Sequence, residues 1–270
     1  MTSHVFDRDT AVTRVAEGEF EASLDRGWWI VAGPNGGYLA AILLRALQES
    51  VGDAERVPRS LTVHYASRAA EGPVRVTTRI ERAGRSLSTL TARLEQDGQV
   101  VALALAAFAR PRPSPEFHDA QMPEAPPPES LATMELPPEA SVPMRERLET
   151  RPVFGERMRA TSTHALAGGW LRPRQPRQAD APFVALLCDA WPPAVAQHRA
   201  LAGAPTRGMP TVDLTIHFRA PVPADARPDD YYLGMFRSRT LQSGFFEEDG
   251  EIWTRRGVLL AQSRQLALWS

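Results

Sequence analysis

Ser60-Leu61-Thr62-Val63-His64-Tyr65 returns as Asp213-Leu214-Thr215-Ile216-His217-Phe218, 153 residues further along the chain. An internal repeat of this kind limits the architecture before any motif does, because each copy must fold as the same supersecondary unit. A second echo keeps nearly the same spacing: Asp97-Gly98 before Val100-Val101-Ala102 matches Arg256-Gly257 before Leu259-Leu260-Ala261. A third, weaker one sets Tyr38-Leu39-Ala40-Ala41-Ile42-Leu43-Leu44 against Phe183-Val184-Ala185-Leu186-Leu187-Cys188-Asp189. Matched segments in the same order point to a duplicated domain. The full length of 270 residues accommodates two small domains.

Between Pro111 and Pro143 lie ten of the 24 prolines, mixed with Glu, Ser and Ala. Such a stretch lacks the donors and periodicity of a packed element and reads as a linker. The expected organisation is therefore a first unit over 1–110, a Pro-rich linker over 111–150 and a second unit over 151–270. In the first unit, Val12 to Asp25 alternates as a hairpin turning at Glu17-Gly18, and Asn35-Gly36-Gly37 opens an apolar helix from about Tyr38 to Glu49. Strands follow near Ser60 to Arg68, Val74 to Arg82, Ser86 to Gln96 and Gln99 to Ala109, with Asp97-Gly98 as a strong hairpin signal.

The second unit repeats the order. A strand is expected near Arg157 to Ala167 and an apolar helix near Ala181 to Ala190. Strands follow near Thr211 to Arg219, Tyr231 to Arg237, Gly244 to Trp253 and Val258 to Leu268. A helix apolar nearly all round must be enclosed. The fold class this implies is α+β, a double hotdog of two antiparallel sheets, each wrapped around a central helix.

Composition narrows the function. A net charge of -1 offers no field to attract nucleic acid or an anionic membrane. Cys188 is the sole cysteine, so neither an intrachain disulfide nor a cysteine-based zinc site can form, which suits a reducing cytoplasm. Asp7, Arg8 and Asp9 stand where a secretory leader needs an apolar core, and no run approaches the length of a membrane span. No HxxH or HExxH spacing supports a metal, and Gly33 to Gly37 lacks both a dinucleotide fingerprint and a P-loop lysine. No cofactor is expected.

Positions where the repeat departs from itself mark what one unit needs and the other does not. Asp189 faces Leu44, Gln265 faces Ala106 and Thr211 faces Pro58, and all three polar groups fall in the second unit. Asp189 ends an apolar run, where burial and a helix C-terminus would both raise its pKa toward a useful general base; alternatively it closes the helix with its carboxylate in water. Alternation puts Thr211, Asp213, Thr215, His217 and Arg219 on one face of their strand, so the Thr211 hydroxyl starts a polar face. Gln265 shares its face with Leu259, Ala261, Ser263 and Ala267, side chains small enough to leave room beside the amide. For either residue, a strand position facing solvent or the partner unit is the plain alternative.

These segments resemble the acyl-CoA thioesterase II family of double-hotdog enzymes. The match rests on Gly33-Pro34-Asn35-Gly36-Gly37, on Asp189, on Pro210-Thr211-Val212-Asp213 with His217-Phe218-Arg219, and on Gly257-Val258-Leu259-Leu260-Ala261-Gln262-Ser263-Arg264-Gln265. It spans both units but not the linker. The resemblance implies hydrolysis of a small-molecule acyl-CoA thioester, with Asp189, Thr211 and Gln265 on the family positions that hold and activate one water. The first unit reads Pro-Asn-Gly-Gly where many hotdog proteins carry His-Gly-Gly, a departure that bears on the substrate subclass. Backbone N–H groups of Asn35, Gly36 and Gly37 are candidates for substrate or oxyanion binding; Asn35 could instead serve only as a helix cap.

The remaining polar residues have plainer readings. Cys188 reads as core, and His64 and His217, being common to both units, read as structural. Arg82, Arg85, Arg237 and Arg239 could meet CoA phosphates or simply be solvated. Two other functions stay open, a non-catalytic acyl-CoA-binding module and a hotdog hydratase or dehydratase. Two units in one chain already supply a pseudo-dimer, so a monomer is feasible and a homo-oligomer remains open.

Overall fold

The computed structural model describes residues 4–135, 142–155 and 161–270. The first half contains α1 (Val5–Asp9), the hairpin β1 (Thr13–Ala16) and β2 (Glu19–Leu24), and α2 (Gly36–Val51). The meander β3 (Val57–Tyr65), β4 (Gly72–Ala83), β5 (Leu87–Gln96) and β6 (Gln99–Ala109) completes it. The second half repeats this with β7 (Leu148–Phe154), β8 (Ala165–Pro173), α3 (Ala181–Leu187), β9 (Thr211–Phe218), β10 (Tyr232–Ser238), the short β11 (Leu241–Gln242), β12 (Phe245–Thr254) and β13 (Leu259–Leu268). The strands expected in the two meanders, from Ser60 to Ala109 and from Thr211 to Leu268, form close to their expected bounds. The turn between β5 and β6 has Asp97 and Gly98 at φ 50° and 77°, the left-handed pair that matches the twist of a tight hairpin.

The sheet is one, not two. Its order is β1-β2-β4-β5-β6-β3-β9-β13-β12-β10-β8-β7, with β11 on β12, and every pairing within it is antiparallel. The expectation of two separate sheets fails because the repeated segments themselves pair, Ser60 to His64 lying against His217 to Asp213. Strands at the open edge of a half-sheet need a partner for their backbone groups, and the copy supplies it. Thr62 pairs with Thr215, its own equivalent, and the two Oγ1 atoms lie 3.1 Å apart. A residue paired with its copy marks a local twofold axis, so the halves join isologously.

Helix α2 is buried along most of its length, from Gly37 to Leu47 apart from Arg45. Asn35 caps it by accepting from the Tyr38 N–H at 3.0 Å, and Gly52 ends it at φ 62°. It packs against β3, β4, β5 and β6 and against α3. Helix α3 is shorter than expected: it ends at Leu187 with Cys188 as its cap, and Asp189 N–H turns back to Leu186 O at 3.2 Å. Helix α1 was not foreseen; its Phe6 is fully buried edge-on to Trp28 and Phe183.

The Pro-rich stretch does more than connect. Its chain crosses the outer face of the second half, where Trp170, Leu233 and Trp253 would otherwise be bare, and contributes Met122, Ala125 and Leu131 to that cluster. Trp170 Nε1 donates to Pro126 O at 2.8 Å, and Met134 N–H donates to Thr150 O at 2.7 Å. Prolines suit this role because side chains and carbonyls, not ladder N–H groups, make the contact. Strand β7 begins at Leu148, inside the expected linker, and pairs with β8 to form the counterpart of the β1–β2 hairpin. The strand expected over 157–167 falls partly outside the described residues; β8 starts at Ala165.

Candidate active site

The first turn of α2 and the residues after α3 meet head to tail. A Cβ on Gly37 would stand 2.7 Å from Leu186 O and 3.0 Å from Ala185 O, so only glycine lets the helices come this close. That approach delivers Asp189 to the start of α2. Its Oδ2 accepts from Asn35 Nδ2 at 2.8 Å and from Gly37 N–H at 3.0 Å, while Asn35 Nδ2 also holds the Asp189 main-chain oxygen at 2.7 Å. Asn35 is thus a cap and a clamp at once. Burial pushes the Asp189 carboxyl up to about 6, against the pull of the Gly37 and Gly36 N–H groups and the Asn35 amide. The rise expected from burial is present, and the N–H groups at the α2 N-terminus work against it.

The glycine donors correct a second expectation. The N–H of Gly37 is given to Asp189, and that of Gly36 also acts on this carboxylate. They hold the carboxylate and do not stand free for a substrate oxygen. Tyr65 closes the cluster from β3, donating its hydroxyl to Gly36 O at 2.8 Å. Burial raises the Tyr65 phenol well above its ordinary value, with the charge of Asp189 adding to the effect, so the hydroxyl keeps its proton.

Thr211 and Gln265 are brought together on β9 and β13, Thr211 Oγ1 donating to Gln265 Oε1 at 3.0 Å. Simple alternation would have put Thr211 on the face of Asp213, away from Gln265. A bulge decides otherwise: Leu266 pairs with Asp213 but Ala267 with Thr211, and this extra residue turns Thr211 to the inner face. The first half has the same bulge between Pro58 and Ser60. Gln265 Nε2 in turn donates to Glu248 Oε1 at 2.8 Å, and Glu248 Oε2 accepts from Ala194 N–H. Glu248 is 3% exposed, and burial pushes it up to about 8, with the charge of Asp189 contributing to the rise. The Asp189 cluster and the Thr211-Gln265-Glu248 chain are therefore electrostatic neighbours.

Two members of this arrangement were missed in the sequence, though both carried a signal. Glu248 pairs with Gln265 where the first half pairs Leu90 with Ala106, so the copies differ there as well. Tyr65 stands where the echo has Phe218, a difference of one hydroxyl. Cys188 is buried beside Ser263 and its thiol is raised by burial, in keeping with a core role. His64, His217, Arg82, Arg85, Arg237 and Arg239 are all exposed. A cleft of about 670 Å³ lined by Arg8, Ser23, Arg75 and Glu95 lies on the first half and shares no residue with this site. Among the described residues no group of three or more His, Cys, Asp or Glu could hold a metal ion, and no helix is long and apolar enough to cross a membrane.

A model of the acyl-CoA thioesterase C-terminal domain matches residues 119–269, and one of the N-terminal domain matches residues 25–109. The chain belongs to the acyl-CoA thioesterase family. Among solved structures, a conserved hot dog protein of unknown function from Alicyclobacillus acidocaldarius is 29% identical, with a TM-score of 0.87 over 100% of this chain and 99% of that one. An acyl-CoA thioesterase II from Mycobacterium marinum shares the fold at 20% identity, with a TM-score of 0.79 over 98% of both chains. An uncharacterized protein of Mycobacterium tuberculosis is 27% identical over 273 residues, 92% of this chain and 90% of the relative. The C-terminal family match takes in the Pro-rich stretch from residue 119, in line with its packing against the second half.

Proposed function

We propose that the protein hydrolyses an acyl-CoA thioester to a carboxylic acid and free CoA, at one active site centred on Asp189, Thr211 and Gln265 of the second half. The observation that carries this reading is Asp189: a carboxylate fixed by Asn35 and Gly37, lifted to about 6, beside a polar chain of Thr211, Gln265 and Glu248. At neutral pH such a group is ionised yet basic enough to take a proton from water. In this scheme water attacks the thioester carbonyl carbon while Asp189 removes one of its protons. The tetrahedral intermediate then expels the CoA sulfur as the C–S bond breaks, and the proton held on Asp189 passes to the leaving thiolate.

Thr211 and Gln265 orient the water. The hydroxyl of Thr211 gives its proton to Gln265 Oε1, so its lone pairs can accept the second water hydrogen. Gln265 Nε2 has one hydrogen on Glu248 and a second for the developing oxyanion, the task that Asn35, Gly36 and Gly37 cannot perform while they hold Asp189. We read each half as a hotdog unit, its share of the sheet curving about its helix, with the acyl-CoA bound where the units meet.

Thiol release across a panel of acyl-CoAs tests the activity directly. Asp189→Asn should cut kcat by about 10²-fold or more, the usual worth of a positioned base. An unchanged rate would remove Asp189 from the mechanism. Tight acyl-CoA binding with no thiol release by the wild type would favour a non-catalytic acyl-binding protein.

A further inference from the structure

Glu248 is a buried carboxyl that thioester hydrolysis by Asp189, Thr211 and Gln265 does not itself require. The equivalent position in the first half holds Leu90, fully buried opposite Ala106, so the fold of the sheet does not call for a carboxyl there. Its presence therefore has to be explained by what it touches. Both its oxygens accept, Oε2 from the Ala194 N–H and Oε1 from Gln265 Nε2. A carboxamide has one accepting and one donating end, and its direction follows from its most demanding partner.

We propose that Glu248 is a positioning residue: it sets which way the Gln265 carboxamide faces, and through it whether Thr211 presents a lone pair or a proton to the reacting water. This inference rests on the thioesterase reading of the site. With Glu248 unprotonated, Gln265 must turn its NH₂ toward Oε1, its oxygen takes the Thr211 proton, and Thr211 faces the site as an acceptor. A proton on Oε1 reverses the chain. Glu248 then donates to the Gln265 oxygen, Gln265 Nε2 donates to Thr211 Oγ1, and the Thr211 hydrogen points into the site. Water that gives one proton to Asp189 needs an acceptor for the other, so the unprotonated state is the productive one.

The surroundings of Glu248 place this reversal in an accessible range. Burial lifts it most, and the charges of Asp189 after α3 and Glu247 on β12 lift it further. The Ala194 N–H and the Gln265 amide act the other way, and the resulting value is about 8. Thr211 and Gln265 on β9 and β13 bring no charge. Two carboxyls of one site thus titrate in sequence, the Asp189 step lower and the Glu248 step higher.

Glu248→Gln is the discriminating variant, because it keeps the volume and fixes the polarity. Its carbonyl oxygen takes the Ala194 N–H, so its NH₂ faces Gln265 and holds the chain in the reversed direction at every pH. In wild type, kcat should rise through two ionisations. In Glu248→Gln the upper step disappears and kcat at high pH falls about tenfold, the order expected for one misdirected hydrogen bond, with KM little changed. A profile superimposable on wild type overturns the proposal, as does a uniform loss of activity with both steps intact. Should wild type release no thiol from any acyl-CoA, the thioesterase reading fails, and the proposal is still tested by NMR on ¹⁵N-glutamine-labelled protein. The Gln265 side-chain amide signals, assigned by their absence in Gln265→Ala, should shift with pH in wild type and not in Glu248→Gln. Signals that titrate alike in both proteins overturn it.

Discussion

Asp189 and Glu248 each carry two opposed demands: the proposed chemistry needs their charge, and the buried setting resists it. With Asp189 as the proposed base, kcat/KM should fall as pH drops through about 6, which a pH profile on any accepted acyl-CoA would reveal. The same shift sets the sign of the stability change. An unfolded carboxyl releases its proton near its ordinary value, while the folded Asp189 keeps its proton up to about 6 and Glu248 up to about 8. The native state binds more protons in that window, so stability declines as pH rises through it. Asp189→Asn removes one of these contributions. Its melting temperature should gain on wild type between roughly pH 4 and 6 and hold that gain above. Thermal melts across this range check it; a difference independent of pH would mean that Asp189 is not held near 6.

At the scale of elements, the site depends on the contact between the start of α2 and the end of α3. The atoms a Gly37 Cβ would meet are main-chain oxygens of Leu186 and Ala185, which cannot swing aside. Gly37→Ala should therefore separate the helices, costing about 1–3 kcal/mol as overpacking does, and should lower kcat by loosening Asp189. Gly33→Ala, where a Cβ meets nothing within 4 Å, is the matched control. Paired melting curves and rates measure both effects, and an equally stable, fully active Gly37→Ala would refute the packing argument. Strands β5, β6, β12 and β13 were legible because alternation survives over most of their length, and Asp97-Gly98 fixed one hairpin outright. The bulge that turns Thr211 inward was not legible, since parity alone put Thr211 with Asp213. Strand β7 was hidden in proline-rich sequence, and its pairing with β8 appears only in the assembled sheet. Glu248 was within reach: it alternates with Phe246, Gly250 and Ile252 on the buried face of β12.

For the molecule as a whole, the twofold relation at Thr62 and Thr215 poses a question that the site answers. Symmetric halves should offer two equivalent sites, yet the second lacks every group the first uses. Leu44 replaces Asp189, Pro58 replaces Thr211, Ala106 replaces Gln265 and Leu90 replaces Glu248. Helix α3 adds a backbone reason: counted from the caps Asn35 and Asp180, Gly37 corresponds to Pro182, which has no N–H to offer a carboxylate. Both halves contribute to the proposed site, the first through Asn35, Gly37 and Tyr65 and the second through Asp189, Thr211 and Gln265. Neither half alone should then be active. Calorimetric titration of Asp189→Asn with an acyl-CoA that wild type hydrolyses should give one binding site per chain. Two equivalent sites per chain would show that the copies remain functionally alike and would overturn the assignment of one site per chain.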